Sequence, residues 1–199
     1  HQRELSFPRR GAGPGRLGGL TLVAGVPPAE ALQSAGFRVR LKWPNDLVVC
    51  ADDGTLRKLG GILVEGGGEH AARVRAVSAR GVKVRIPPAI AAGIGQPWCD
   101  LAGLSDAPPD RNRLAAAVLS HLLPALEEFD AEGLAPFGSR YAALDALAQR
   151  PITLHTSAGE LHGIALGLAD DGALRARLDG GEERSFHSGE VSVRSGAPA

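Results

Sequence analysis

The sequence predicts an α+β protein, with helices packed against a mixed β-sheet and a small β-barrel at the C-terminal end. Strand patterns occupy residues 38–86, helical patterns lie on both sides of them, and five short strand patterns follow residue 151. A chain of 199 residues is long enough for one good core and a small second domain. We therefore predict a core over residues 1–150 and a second domain over residues 151–199, with Pro151 at the boundary.

The first helix is predicted over residues 20–35, where apolar residues recur on one face. Pro27 and Pro28 interrupt this pattern, so we expect either a kink or a new helix that starts at the prolines. Gly36 is expected to end the element as its C-cap. Residues 11–19 are rich in glycine and predict a loop. No Gly-Lys-Ser/Thr follows them, which excludes a phosphate-binding P-loop there.

Residues 38–41 and 47–50 have strand patterns, and polar residues separate them. Pro44 fixes its own φ angle, so we expect it to end the ladder and to turn Asn45 and Asp46 out of it. A turn at residues 52–54 returns the chain to a strand at 62–64. If these strands pair, Lys58 comes close to Asn45 and Asp46.

The next elements are a hairpin turn at residues 65–70 and a strand at residues 72–86 that two prolines end. Asp110 is expected to cap a helix that reaches residue 130, with a kink at Pro124. Pro136 opens another helix. After Pro151 the period changes to that of short strands, which are predicted at residues 152–156, 161–168, 173–178, 184–187 and 191–193. Five short strands joined by glycine-containing turns predict a small barrel.

Composition excludes several classes of partner. The 22 basic residues balance 22 acidic ones, so no electrostatic footprint for nucleic acid or a membrane surface is present. No apolar run approaches the roughly 20 residues of a membrane span, and no hydrophobic signal region opens the chain, which predicts a cytoplasmic protein. The two cysteines are expected to be reduced. The chain contains no methionine, so we expect that it is not the whole translated product.

Taken by themselves, the polar residues between the strands allow two interpretations. Lysines at strand ends are usually solvated, Asn-Asp is an ordinary turn pair, and Gly-Gly often marks only a bulge. The alternative is a ligand site, in which Gly60 and Gly61 let a ligand lie against the backbone.

The order of these residues resembles a family signature. Lys-Trp-Pro-Asn-Asp-Leu at residues 42–47, followed by Lys-Leu-Gly-Gly-Ile-Leu-Val-Glu at residues 58–65, is similar to the motif of biotin protein ligases, which are relatives of the lipoate ligases. The likeness extends through residues 20–32, 110–136 and 171–191. It implies a biotin/lipoate ligase-like core and an SH3-like C-terminal domain.

The resemblance implies that biotin and ATP form biotinyl-AMP, and that the biotinyl group then passes to a lysine of the biotin carboxyl carrier domain of a carboxylase. Lys58 matches the lysine that would bridge the biotin carboxylate and the α-phosphate, because a cation between two anions lowers the barrier. Asp46 would either bind Mg²⁺ or orient the incoming lysine amine.

The resemblance also implies a set of substrate-binding residues. Asn45 would hydrogen-bond phosphate or ribose, and Lys42 would contact phosphate or pair with Glu65. The backbone of Gly60 and Gly61 would lie against biotin. Trp98 would stack on adenine or pack within its loop, whereas Trp43 is expected in the core. Gly81 and Lys83 fall where relatives read Gly-Ile-Gly-x-Asn-Val, so Lys83 replaces an asparagine near the nucleotide.

One expected segment does not occur in these residues. The Gly-Arg-Gly-Arg loop that grips biotin in the family has no match, and we expect it upstream of His1, in an N-terminally incomplete chain. Three alternatives remain at this stage: a non-catalytic relative that binds nucleotide or a carrier protein, a lipoate ligase, and a repressor that would need an N-terminal helix-turn-helix. A homodimer is possible.

Overall fold

The computed structural model describes residues 15–70, 73–107, 109–188 and 191–195. It contains helices α1 to α4 and strands β1 to β9 in two antiparallel sheets, which confirms the α+β prediction. The predicted boundary at residue 150 stays a prediction, although the second sheet begins at Pro151. Among the described residues, no helix is long and apolar enough to cross a membrane.

Helix α1 runs over Gly15–Ser34 as one element with Pro27 and Pro28 inside it. It starts five residues earlier than predicted, so the predicted loop is wrong for residues 15–19, and residues 11–14 lie outside the described part. The prolines remove two backbone donors, but Val23, Val26 and Leu32 are fully buried on this helix, and their packing outweighs that loss.

The end of α1 is the predicted glycine cap. Gly36 has a φ of 90°. Its N–H donates to the Gln33 carbonyl at 2.9 Å, and the Phe37 N–H donates to the Leu32 carbonyl at 3.0 Å. These two bonds form a Schellman motif, which confirms the C-cap.

The first sheet has the order β1-β2-β3-β4, with β1 at Val39–Lys42, β2 at Asp46–Cys50, β3 at Leu56–His70 and β4 at Arg73–Val82. The hairpin turn predicted at residues 65–70 is wrong, because these residues continue β3 and His70 pairs with Arg73. Glycines usually signal a turn, but here Gly66 and Gly67 pair with β4, and the strand continues to His70 after a register shift. Strand β4 ends at Val82, four residues before the predicted end.

All named strand pairs of this sheet are antiparallel. Parallel pairing occurs at two isolated bridges, Leu41 with Asp145 and Lys58 with Trp98. Within the described residues, the mixed character predicted for the sheet is limited to these bridges.

Helix α2, Pro88–Ala91, is short and was not predicted, whereas α3 covers Arg111–Glu132 and α4 covers Phe137–Leu144. Asp110 caps α3 as predicted, because its Oδ1 accepts the N–H groups of Asn112 and Arg113 at 2.9 Å. Helix α3 includes Pro124. Pro136 precedes α4, which confirms that prediction.

Arg140 of α4 joins three helices. Its guanidinium donates to both carboxylate oxygens of Glu30 on α1, at 2.9 and 2.7 Å, and to Glu128 on α3 at 3.1 Å. The same group lies 4.8 Å from the centroid of the Phe137 ring. Bidentate geometry together with an aromatic face makes this ion pair stronger than an ordinary surface pair.

Replacing Arg140 with Gln should lower the free energy of unfolding by about 1–2 kcal/mol, because a bidentate and partly buried pair is lost. Urea denaturation measures this loss. The matched control is Arg177→Gln, which removes an exposed pair with Glu183 at 2.8 Å and should lower the free energy of unfolding much less, because solvent-exposed ion pairs contribute little to stability. Equal losses in the two variants would contradict the assigned role of Arg140.

The second sheet has the order β8-β7-β6-β5-β9. Its strands confirm the predicted series and are β5 at Pro151–Thr156, β6 at Gly159–Leu168, β7 at Leu174–Leu178, β8 at Glu183–Phe186 and β9 at Val191–Ser195.

Side-chain hydrogen bonds join the second sheet, and Arg150 just before it, to the first two hairpins. The indole N–H of Trp43 donates to the Gly172 carbonyl at 3.1 Å, and the Arg150 side chain donates to the Gly54 carbonyl at 3.1 Å. Trp43 is only 1% exposed, which confirms its predicted place in the core. The second sheet therefore contacts the turn that carries the polar motif.

Candidate functional site

The polar motif lies where hairpin β1–β2 meets β3. Asp46 pairs with Lys42 across the hairpin and with Gly61 on β3. The expectation that Asp46 turns out of the ladder is therefore wrong, since residues 43–45 make the whole turn. A register shift between Leu47 and Val48 follows directly. Such a bulge re-aims side chains near a strand end.

Two lysines hold the Asp46 carboxylate. Lys58 Nζ lies 2.6 Å from Asp46 Oδ1, which confirms the predicted approach, and Lys42 Nζ lies 3.8 Å from Asp46 Oδ2. The side chain of Asp46 is 16% exposed and that of Lys58 is 29% exposed. An ion pair this sheltered is screened less by salt than a surface pair. The alternative partner for Lys42, the side chain of Glu65, lies outside the described residues.

The site carries excess positive charge. Burial lowers the pKa of Lys42, against the opposing effect of Asp46, and the nearby Arg194 and Lys58 lower it further. Burial also lowers the pKa of Lys83, with a further contribution from Lys58. The Lys83 ammonium donates to the Lys58 carbonyl at 3.3 Å. Cations crowded around one carboxylate create a potential that favours an anionic ligand.

A cleft of about 560 Å³ opens beside this cluster. Lys42, Asp46 and Lys58 line it, together with Arg194 of β9 and the loop at residues 95–97. The volume is within the usual range for small-molecule sites. Arg194 was missed by the sequence analysis, since no local pattern distinguishes it and only the docking of the second sheet brings it to the cleft.

Other predicted site residues do not line this cleft. The Asn45 side chain donates to the Ile62 carbonyl at 3.0 Å, so the amide already secures the turn against β3. Trp98 is partly buried and forms a parallel bridge with Lys58. The predicted contacts of Asn45, Gly81, Lys83 and Trp98 with substrate stay predictions.

The two glycines after Lys58 differ in their surroundings. A Cβ on Gly60 would collide with the backbone carbonyl of Gly81 on β4, so the close approach of two strands accounts for this glycine. A Cβ on Gly61 would lie 3.7 Å from Lys58 Nζ and 3.8 Å from Asp46 Oδ1, at ordinary contact distance. Gly61 therefore borders the ion pair, whereas Gly60 is packed within the sheet.

Replacing Gly60 with Ala should lower the free energy of unfolding by about 1–3 kcal/mol, because a strand must shift to admit the methyl group. Gly61→Ala is the matched control and should change stability by less than about 1 kcal/mol. Thermal and urea unfolding of both variants measure the difference. A Gly60→Ala variant as stable as the parent would show that the strands are not in this close contact.

The predicted magnesium role of Asp46 stays a prediction, since Mg²⁺ in such sites is held by one or two carboxylates together with substrate phosphates. Its carboxylate is already neutralised by Lys58 at 2.6 Å and approached by Lys42 at 3.8 Å. In the described ranges, no three His, Cys, Asp or Glu side chains cluster so that they could hold a metal ion. Orientation of the incoming lysine amine also stays a prediction; what the structure shows is that the Asp46 carboxylate lies against the Lys58 ammonium group.

Comparison with known proteins gives three results. The family model described as "Biotin protein ligase C terminal domain" matches residues 150–194. The chain is 39% identical over 192 residues to the bifunctional ligase/repressor BirA of Escherichia coli. That alignment covers 95% of this chain and 57% of BirA. It is 32% identical over 186 residues to the biotin–[acetyl-CoA-carboxylase] ligase of Paracoccus denitrificans, covering 82% of this chain and 68% of that ligase.

The chain belongs to the biotin protein ligase family. This confirms the resemblance that the motif predicted. The chain spans little more than half the length of the Escherichia coli relative.

Solved structures support the fold of this biotin protein ligase family member. The biotin protein ligase of Aquifex aeolicus, solved in complex with biotin and ATP, has a TM-score of 0.74 at 24% identity, covering 91% of this chain and 73% of that one. At this identity the likeness concerns the fold alone. With the family match over residues 150–194, it confirms the predicted core and the SH3-like C-terminal domain.

Proposed function

We propose that this chain forms the nucleotide side of a biotin protein ligase, which joins biotin to ATP and transfers the biotinyl group to a carrier lysine. The observation that carries the proposal is the Lys58–Asp46 ion pair at 2.6 Å, at the wall of a cleft lined by further cations. The proposal also rests on the sequence identity of this chain with relatives that are named as ligases.

In the first step, a biotin carboxylate oxygen attacks the α-phosphate of ATP and pyrophosphate leaves. The nucleophile and the electrophile are both anionic, so their approach needs positive charge between them. Lys58 supplies it from a partly exposed position, and the short contact with Asp46 fixes where its ammonium group lies. Because that donor is positioned before the reaction, little reorganisation is needed in the transition state.

Lys42 and Arg194 are proposed to hold the phosphate groups. Both line the cleft with Lys58, and they come from different sheets. In the second step, the amine of the carrier lysine attacks the biotinyl carbonyl, AMP leaves, and the nitrogen loses a proton. Lys58 would stabilise the charge that develops on the carbonyl oxygen, by the same electrostatic effect. The substrate is then a lysine of a biotin carboxyl carrier domain.

A second function is a relative that binds nucleotide without ligation. The residue that favours it is Lys83, which stands where the family motif has asparagine and donates to the Lys58 carbonyl at 3.3 Å. An ammonium cannot replace both the donor and the acceptor of an amide.

An assay of biotin transfer, carried out with the polypeptide as its gene encodes it, separates the two functions. The protein is incubated with biotin, ATP and a biotin carboxyl carrier domain, and the products are blotted with streptavidin. We expect a labelled carrier whose formation requires ATP. ATP binding measured by calorimetry without any transfer would support the second function, and lipoyl transfer in place of biotinyl transfer would contradict both.

A further inference from the structure

The side chain of Arg150 fastens one wall of the cleft beside the lysine cluster. Its Nη1 donates to the Gly54 carbonyl at 3.1 Å, and its Nη2 lies 3.5 Å from the Cys50 sulfur. The guanidinium therefore holds the turn that joins β2 to β3. Gly54 lines the cleft together with its neighbours Asp53 and Thr55. This wall is thus attached to the residue that directly precedes β5.

The same residue lies beside the strand pair that forms another wall of the cleft. Strand β5 begins directly after Arg150, and its residues Ile152 and Thr153 pair with Ser195 and Arg194 of β9. Ser195 and Arg194 both line the cleft. Arg150 therefore connects the turn on one wall to the start of the ladder that carries Arg194 on the other.

The backbone of Arg150 is held on both sides. Its N–H donates to the Leu147 carbonyl at 2.9 Å, and its carbonyl accepts the N–H of Ala165 on β6 at 3.0 Å. Gln149, just before it, has a φ of 58°. A residue other than glycine keeps this left-handed conformation only where its surroundings impose it. Because the backbone is fixed in this way, the reach of the Arg150 side chain sets how far the turn lies from the second sheet.

Repulsion between cations makes such a connection necessary. Burial lowers the pKa of Lys42, and Arg194 lowers it further, against the opposing effect of Asp46. Lys42 belongs to the first sheet and Arg194 to the second, so their like charges push the two sheets apart at the cleft. Arg150 resists this push without neutralising either cation, because the carbonyl and the thiol that it contacts are uncharged groups.

We propose that Arg150 is a positioning residue, which holds the β2–β3 turn against β5 so that Arg194 and Lys42 can contact the phosphates of ATP together. This inference rests on the proposed function, in which those two cations hold the phosphate groups. Arg150 itself does not line the cleft, so its removal acts on the nucleotide through Arg194.

A double-mutant cycle with Arg194 tests this role in the polypeptide as its gene encodes it. Calorimetry gives the Kd for ATP, and single-turnover assays give the rate of adenylate formation. Arg194→Met should raise the Kd about 10-fold or more, the ratio that one hydrogen bond to a charged group supplies. Arg150→Met should raise it about 3- to 10-fold, as part of the same interaction is lost. Because the two residues act as a unit, the double variant should bind no more weakly than Arg194→Met alone.

The cycle also predicts which kinetic parameter changes. Phosphate contacts made equally in the ground state and the transition state affect binding and not the chemical step. Arg150→Met should therefore keep the rate of adenylate formation at saturating ATP within about 2-fold of the parent rate.

Two further variants separate positioning from stability. Arg150→Lys keeps the charge and one donor but cannot fork between two acceptors, so its Kd for ATP should lie between those of the parent and of Arg150→Met. It replaces Arg150→Met in the cycle if that variant does not fold. Arg140→Gln, which breaks the ion pair with Glu30 away from the cleft, should lower the melting temperature and leave the Kd for ATP unchanged.

The inference would be overturned by an unchanged Kd in Arg150→Met, or by a double variant whose loss is the product of the two single losses. A Kd that follows the melting temperature in the Arg140 and Arg150 variants alike would also overturn it. A parent that binds ATP but forms no adenylate contradicts the proposed ligase function alone, because the cycle is still read from the Kd. A parent that binds no ATP overturns both.

Discussion

Replacing Lys58 with Met should slow the formation of biotinyl-AMP by about 10²–10³-fold, the usual cost of removing one preorganised donor from developing charge. Methionine keeps the length of the side chain but removes the ammonium group that lies 2.6 Å from Asp46. Single-turnover conversion of labelled ATP to the adenylate, with the protein as its gene encodes it, measures the chemical step apart from nucleotide binding.

Arg57→Met is the matched control for Lys58→Met. Arg57 precedes Lys58 on β3 and is exposed, and adjacent side chains of a strand point to opposite faces. The control loses the same charge a few ångströms away and should keep at least half of the parent rate. Equal losses in both variants would show that general positive charge, rather than the ammonium of Lys58, drives the step.

Replacing Asp46 with Asn should slow the same step by about 10- to 100-fold, because a small displacement of a catalytic group costs rates of this order. Asparagine has nearly the same shape but cannot neutralise the two lysines that approach the carboxylate at 2.6 and 3.8 Å. The KM for ATP should rise little, since the cleft becomes more positive.

A double-mutant cycle tests whether Asp46 acts through Lys58 or independently of it. If Asp46 acts by positioning Lys58, Asp46→Asn should have almost no effect in the Lys58→Met background. If it binds a metal ion or serves as an independent base, the two losses should multiply. Multiplied losses would contradict the positioning role.

Much of the fold could be predicted from local signals. Asp110 caps α3, and Gly36 ends α1, because both act on backbone groups within a few residues. The prediction was wrong where a local signal competed with longer-range pairing. Glycines at residues 66–68 favour a turn, but antiparallel pairing with β4 extends β3 to His70.

The part of the candidate site that local sequence signals define was also predicted. Lys42, Asp46 and Lys58 belong to the two blocks of one motif, which lie in adjacent strands, so their convergence could be expected. The sequence could not show why residue 60 is a glycine. The carbonyl that a side chain there would strike belongs to Gly81, which lies on another strand. A sequence pattern shows that a side chain is missing but not what occupies the space.

By itself, the sequence determined the family, the order of the strands and of every helix except the short α2, and the charged residues that meet at the first hairpin, because these depend on residue types at short separations. Only the tertiary structure decided that Asp46 is held between two lysines, that Arg194 reaches the cleft, and that the Trp43 indole donates to the Gly172 carbonyl. Those features depend on which distant segments pack together, and packing is settled by the burial of the whole apolar surface.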